Sequence, residues 1–212
     1  MSSADHAHTL RSGARELGVA LGDEPVRRLL MLNDELARWN AAYNLTAIDE
    51  PAKMVTHHLL DSLAVHSALQ GTTVVDVGTG AGFPGLPLAL INPQRRFTLI
   101  DSNNKKVRFV SHAAHLLGLA NVTAVHSRSE SFKPEKPFDT VVARAFAALP
   151  ALLKLVTPLC GPDTRVLAMK GKRPDDEISG VRDPWRVLEV RALTVPGLNE
   201  ERHLVIVQRT CV

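Results

Sequence analysis

Four glycines fall within eight residues in the run Val74-Val75-Asp76-Val77-Gly78-Thr79-Gly80-Ala81-Gly82-Phe83-Pro84-Gly85. That density serves a loop that holds positive φ or lets a ligand approach the backbone closely. Two further polar positions follow at intervals: Asp101, in Leu99-Ile100-Asp101-Ser102, and the pair Ser129 and Glu130, in His126-Ser127-Arg128-Ser129-Glu130. One register, Gly80-x-Gly82-x-x-Gly85 with Asp101 about twenty residues on, fits the dinucleotide fingerprint. The tighter register, Asp76-x-Gly78-x-Gly80-x-Gly82, puts an acid where a pyrophosphate would be repelled. No Gly-Lys-Ser/Thr follows the glycines, so a phosphate-cradling P-loop is excluded.

A ligand with positive charge, hydrogen-bond donors and no phosphate suits this set, and S-adenosylmethionine has all three properties. Asp76, Gly78, Gly80, Gly82 and Phe83 would form the loop against it. Asp101 would accept from both ribose hydroxyls, and Ser129 with Glu130 would read the adenine. Taken singly, Asp101 could cap the next helix and Glu130 could be a solvated acid. An acidic position after each of three successive strands is far more specific.

These residues need a sheet edge to hold them. From residue 72 onward, apolar runs alternate with helical patterns: strands at 72–78, 95–102, 121–127, 138–146 and 164–171, with helices between them. Near-continuous apolar strands belong to a parallel sheet covered on both faces. The last two runs, 185–197 and 203–209, are joined by a short polar turn at 198–202 and predict a closing antiparallel hairpin. Residues 1–70 read as helical. One helix is expected from 23 to 40, with Asp23 as N-cap and Pro25 in its first turn, and a second from 51 to 69. The fold class is therefore α/β, a Rossmann-like domain at 71–212 carrying an N-terminal helical extension at 1–70.

Composition narrows the setting. The 212 residues are 45% hydrophobic, enough for a sizeable core, and no apolar run approaches the ~20 residues of a membrane span. No secretory signal is visible at the start. Two cysteines, Cys160 and Cys211, make no disulfide framework, so a cytoplasmic protein is expected. The net charge of +3 divides unevenly, −3 over residues 1–70 and +6 over the remainder, and the basic part is the one with the glycine loop. A polyanionic partner is compatible with that asymmetry.

The chain resembles the small-subunit ribosomal RNA methyltransferase G family, also called glucose-inhibited division protein B. The resemblance runs through Arg38-Trp39-Asn40-Ala41-Ala42-Tyr43-Asn44, His57-His58-Leu59-Leu60-Asp61, the glycine segment, Leu99-Ile100-Asp101-Ser102-Asn103-Asn104, His126-Ser127-Arg128-Ser129-Glu130, Val141-Val142-Ala143-Arg144-Ala145-Phe146 and Met169-Lys170-Gly171. It implies a class I S-adenosylmethionine-dependent methyltransferase fold, its mostly parallel sheet ending in an antiparallel strand. The implied activity is methylation at N7 of one guanosine in 16S rRNA, with the small ribosomal subunit as partner; a monomer is expected. Gly78, Phe83, Ser129, Glu130 and Arg144 match the family's positions that contact the methyl donor.

The residues agree with that atom. An exocyclic amine acceptor calls for Asp/Asn-Pro-Pro-aromatic after the fourth strand, where this chain has Val142-Ala143-Arg144-Ala145-Phe146. Pyrimidine C5 needs a cysteine nucleophile, and both cysteines lie away from the motifs and are expected to be inert. Guanine N7 offers an in-plane lone pair and no proton to remove, so alignment and electrostatics suffice. Arg144 is the expected catalytic residue, holding a guanine edge, a phosphate or the donor's tail; the alternative is an ion pair at the sheet end. Arg128, Lys170, Lys172 and Arg173 are expected RNA phosphate contacts, and Asn44, His58 and Asp61 border the substrate cleft. A metal site from His57, His58 and Asp61 is not expected; a local His–Asp hydrogen bond is. The competing functions are a small-molecule methyltransferase, a nicotinamide-binding redox module and a non-catalytic ribosome-binding factor.

Overall fold

The computed structural model describes residues 3–210. Seven strands among them form one sheet: β1 Thr73–Val77, β2 Arg96–Asp101, β3 Val122–His126, β4 Phe138–Arg144, β5 Cys160–Lys170, β6 Trp185–Ala192 and β7 His203–Arg209. Their order across the sheet is β3-β2-β1-β4-β5-β7-β6. Strands β1 to β5 pair in parallel, and β7 runs antiparallel to both β5 and β6. Order reverses between β1 and β4, and such a switch opens a crevice beyond the carboxyl ends of the strands.

Among the described residues, eight α-helices surround the sheet: α1 Ser3–Glu16, α2 Asp23–Tyr43, α3 Pro51–Met54, α4 Asp61–Leu63, α5 Gly85–Ile91, α6 Asn104–Leu116, α7 Leu149–Val156 and α8 Asp175–Ser179. Alternation along the strands sends Val74 to one face and Val75 and Val77 to the other. On the first face Val74, Phe97, Leu99, Leu204 and Ile206 join Leu29, Leu36, Leu60, Leu86 and Phe109 in one buried cluster. On the second, Val75, Val77, Val205 and Val207 pack against Leu149, Leu152, Leu153 and Val156 of α7. The N-terminal helices thus lie in the same core as α5 and α6 and cover one face of the sheet.

The expected second helix differs from its plain reading. Between α3 and α4, residues Val55–Leu60 wind as a π-helix, and the remainder toward Leu69 finishes as a short 3-10 turn at His66–Ala68. A π turn changes which side chains share a face, and such insertions gather at functional sites. Helix α2 also starts differently. Gly22 is at the N-cap, and Asp23 is already helical, with its carboxylate 2.7 Å from Arg11 instead of on the backbone. At the other end Asn44 takes the left-handed conformation, φ 51°, and its N–H donates to the Asn40 carbonyl at 3.1 Å, stopping the helix.

Candidate active site

The glycine loop leaves β1 at the crevice. Gly78 has φ +64°, and a Cβ there would run into the Phe146 ring. Gly80 has φ +61° with open space where a Cβ would point, so its backbone is free to face a ligand. Two buried acids hold the loop. Asp101 accepts from the Gly80 N–H at 2.9 Å and, through its other oxygen, from the Asn103 N–H at 2.8 Å. Each carboxylate oxygen keeps a second lone pair for a ligand hydroxyl. Helix α6 is capped by Asn103, whose side chain accepts from the Lys105 N–H, so Asp101 is free of that task.

Asp76 is 1% exposed and lies under the loop, away from the cleft surfaces. One of its oxygens accepts from the Thr79 hydroxyl at 2.6 Å and the Gly85 N–H at 2.9 Å; the other, Oδ1, is buried without a partner. Burial pushes its carboxyl up to about 7, against the pull of those two donors. Its geometry is that of a loop-holding group, where the sequence suggested direct contact with a cationic ligand.

Two clefts adjoin at Gly78, Lys106 and Ala145. The smaller, about 410 Å³, is lined by Asp101, Arg128, Ser129, Glu130 and Phe146. Ser129 is buried and its hydroxyl donates to Glu130 Oε2 at 3.3 Å, leaving the exposed Glu130 at the rim beside Arg128, 3.9 Å away. The larger, about 490 Å³, is lined by Leu45, Thr46, His57, His58, Asp61, Phe83, Arg144, Met169, Lys170 and Arg202.

The walls of the larger cleft come from distant parts of the chain. Arg144, the last residue of β4, donates from Nη1 to the His57 carbonyl at 3.0 Å and to Asp61 Oδ2 at 3.2 Å. Arg202, from the turn before β7, donates to Asp61 Oδ1 at 3.1 Å. Asp61 is 2% exposed, so one buried carboxylate serves two guanidiniums. The Arg144 guanidinium carbon lies 5.7 Å from the Phe83 ring centroid, and His58 stacks on Phe83 at 4.8 Å. The next residue, Ala145, has φ 49°, a conformation non-glycine residues rarely adopt, at the point where the two clefts meet.

The expected hydrogen bond between His58 and Asp61 is absent. The π turn separates them: His58 Nε2 bonds the Thr46 hydroxyl at 3.0 Å, and Asp61 faces the arginines. Burial, with Arg144 nearby, lowers the His58 imidazole to about 3, so the ring is neutral. Among the described residues, no group of three or more His, Cys, Asp or Glu side chains is placed to hold a metal ion.

The basic residues separate into different situations. Lys170 is mostly buried on the wall of the larger cleft, and its ammonium donates to the Ala147 carbonyl and to Glu177, each at 2.7 Å. Lys172 is exposed beyond the end of β5, and Arg173 is exposed but paired with Asp175 at 2.8 Å. Asn44 is exposed at the turn leading to Leu45 and Thr46 on the cleft wall. Sequence reading missed Lys106, Thr46, Phe146 and Arg202. Lys106 carried a local signal, following the acid at the end of β2; Arg202, 141 positions from its partner Asp61, carried none. Cys160 is buried and its thiol is pushed up to about 12, consistent with an inert side chain, and Cys211 lies outside the described residues.

Residues 26–205 match the family described as rRNA small subunit methyltransferase G. The chain belongs to this family. It is 49% identical over 206 residues to the ribosomal RNA small subunit methyltransferase G of Pseudomonas paraeruginosa, covering 97% of this chain and 96% of that one. The corresponding protein of Cronobacter sakazakii is 44% identical over 201 residues, covering 95% and 97%. Among solved structures, a SAM-dependent methyltransferase from Aquifex aeolicus superposes with a TM-score of 0.56 at 21% identity, over 79% of this chain and 97% of that one. That likeness is one of fold, the class I methyltransferase sheet. No helix among the described residues is long and apolar enough to cross a membrane.

Proposed function

We propose that the chain transfers the methyl group of S-adenosylmethionine to N7 of a guanosine in 16S rRNA, as a cytoplasmic monomer acting on the small ribosomal subunit. The observation that carries this reading is the junction of the two clefts. One is edged by Asp101, Ser129 and Glu130, a set suited to ribose and adenine. The other is walled by Arg144, His58 and Phe83, a set suited to a flat base. Residues 71–212 hold the donor in this reading, and residues 1–70 build one wall of the acceptor cleft.

S-adenosylmethionine supplies an activated methyl. The N7 lone pair forms the new N–C bond, the C–S bond breaks, and its electron pair stays on sulfur to give the neutral thioether. No proton leaves N7. A general base is unnecessary, and the one imidazole beside Phe83 is a poor one, held neutral and engaged with Thr46. What the reaction needs is alignment. Arg144 provides it by presenting a planar guanidinium whose position is set by Asp61 and the His57 carbonyl. Asp61 also offsets the positive charge of Arg144 and Arg202 where a sulfonium must be accommodated.

Calorimetry with S-adenosylmethionine and with NAD tests the donor half of this reading. Saturable binding of the former and none of the latter is expected. Binding of NAD alone would return the glycine loop to its dinucleotide register and overturn the proposal.

A further inference from the structure

Outside both clefts, helices α2 and α6 meet around Trp39. Its ring centroid is 5.3 Å from Tyr43, 5.5 Å from Phe109 and 5.2 Å from His112. Beneath the rings lies Glu35, 6% exposed, which accepts from Trp39 Nε1 at 2.9 Å, bonds His112 Nε2 at 2.8 Å and pairs with Arg38. A buried carboxylate with this many partners fixes the orientation of the rings above it. Yet the cluster is not closed. Phe109 is buried, but Tyr43 is 48% exposed and His112 also faces solvent. Helix packing alone gives no reason to leave a tyrosine ring uncovered on a rigid aromatic base.

The surroundings point to the chemistry of what covers it. Helix α6 contains Lys105, Lys106 and Arg108 and no acid. Lys105, Arg108 and His112 recur at spacings of three and four, so they share one exposed face that ends at the aromatic cluster. Lys106 lines both clefts, and the helix rises about 9 Å from there to His112. On the other side Tyr43 is two residues from Leu45, on the wall of the larger cleft. A basic face therefore leads from the methyl-transfer site to an exposed ring. Positive charge beside a solvent-facing aromatic platform is the arrangement that binds unpaired nucleic acid strands.

We infer that Tyr43, backed by Trp39, is a stacking subsite for an unpaired base of the RNA strand flanking the modified nucleotide. The inference rests on the proposed RNA acceptor. Stacking on the ring needs no particular base, because every base has a π face. The contact adds affinity and holds the strand, and selection of the target is left to the cleft.

The test measures binding of unmodified small ribosomal subunits by co-sedimentation across a range of salt, for the unaltered protein, Tyr43→Ala and Tyr43→Phe. Methyl transfer to the same subunits is followed in parallel. Tyr43→Ala is expected to bind about tenfold more weakly at every salt concentration. The slope of log affinity against log salt should stay unchanged, since a neutral ring releases no counterions. Tyr43→Phe is expected to bind like the unaltered protein. Full affinity in Tyr43→Ala overturns the inference, as does a loss that Tyr43→Phe shares, which would assign the contact to the hydroxyl. Binding that shows these ring effects without methyl transfer would sustain the subsite and overturn the proposed function. No binding by the unaltered protein would overturn both.

Discussion

Asp61 and Arg144 are 83 positions apart in the chain and 3.2 Å apart in the fold. The carboxylate comes from the helical extension and the guanidinium from the end of β4, so this pair ties the extension to the sheet at the crevice. Arg202 takes the other carboxylate oxygen at 3.1 Å and adds the C-terminal hairpin to the same point. A buried acid with two partly exposed partners is costly to disturb, because removing it leaves two guanidiniums facing each other.

Asp61→Asn should therefore lower turnover at least tenfold, because Arg144 loses its orientation, and weaken donor affinity, because the charge of Arg144 and Arg202 is no longer offset beside the sulfonium. A loss of roughly 2 kcal/mol in stability should accompany it, less than for a fully buried pair. Steady-state rates, calorimetry of S-adenosylmethionine binding and urea unfolding check the three parts. Arg144→Lys, which keeps the charge and loses the planar fork, should also turn over more slowly. Full turnover in either variant contradicts the positioning role.

Asp101→Ala removes the acceptor of the Gly80 N–H as well as the expected ribose contact. One charge-assisted hydrogen bond lost at a binding site corresponds to roughly 10- to 100-fold in affinity. Calorimetry should show that weakening for S-adenosylmethionine. Unchanged binding would reject Asp101 as a donor ligand.

Two neighbouring lysines should behave differently. Lys172→Ala is expected to weaken subunit binding and reduce the salt slope by about one, as for a lost phosphate contact. Lys170→Ala should instead lower the melting temperature, because it strips Glu177 and the Ala147 carbonyl of their partner. Equal effects of both on the salt slope would contradict this division.

His58 and Asp76 give opposite pH dependences over one window. The folded His58 stays neutral down to about 3, so below its ordinary 6.5 the unfolded chain binds the extra proton and stability falls as pH falls. Asp76 keeps its proton up to about 7, so its contribution is complete below 3.8 and is lost as pH rises through 7. Between about pH 4 and 6.5 the two slopes, each near 1.4 kcal/mol per pH unit, oppose each other. Urea titrations of His58→Gln should show stability falling more steeply with rising pH than in the unaltered protein, and Asp76→Asn the reverse. Slopes that do not separate in these directions would contradict the burial of the two groups.

The fold was legible where a local pattern decided it. Apolar runs of strand length located all five parallel strands, and the polar turn at 198–202 announced the antiparallel ending. That Asp101, Ser129 and Glu130 share one cleft was legible because Asp101 ends β2, the other two follow β3, and the sheet brings strand ends to one edge. Local pattern failed where a side chain's use depends on a distant partner. Lys170 resembled a surface cation, but Glu177 and the Ala147 carbonyl take two of its three protons. His58 and Asp61 resembled neighbours on a helix face until the π turn separated them. Asp76 resembled a ligand contact, but the loop that it stabilises folds over it.

The most direct test is transfer of labelled methyl from S-adenosylmethionine to unmodified small ribosomal subunits and to naked 16S rRNA, with the product mapped by cleavage at 7-methylguanosine. Label is expected at a single guanosine, cleavable as the N7-methyl base. Label at another atom or at many positions, or no label on either acceptor while the donor still binds, would contradict the proposed function.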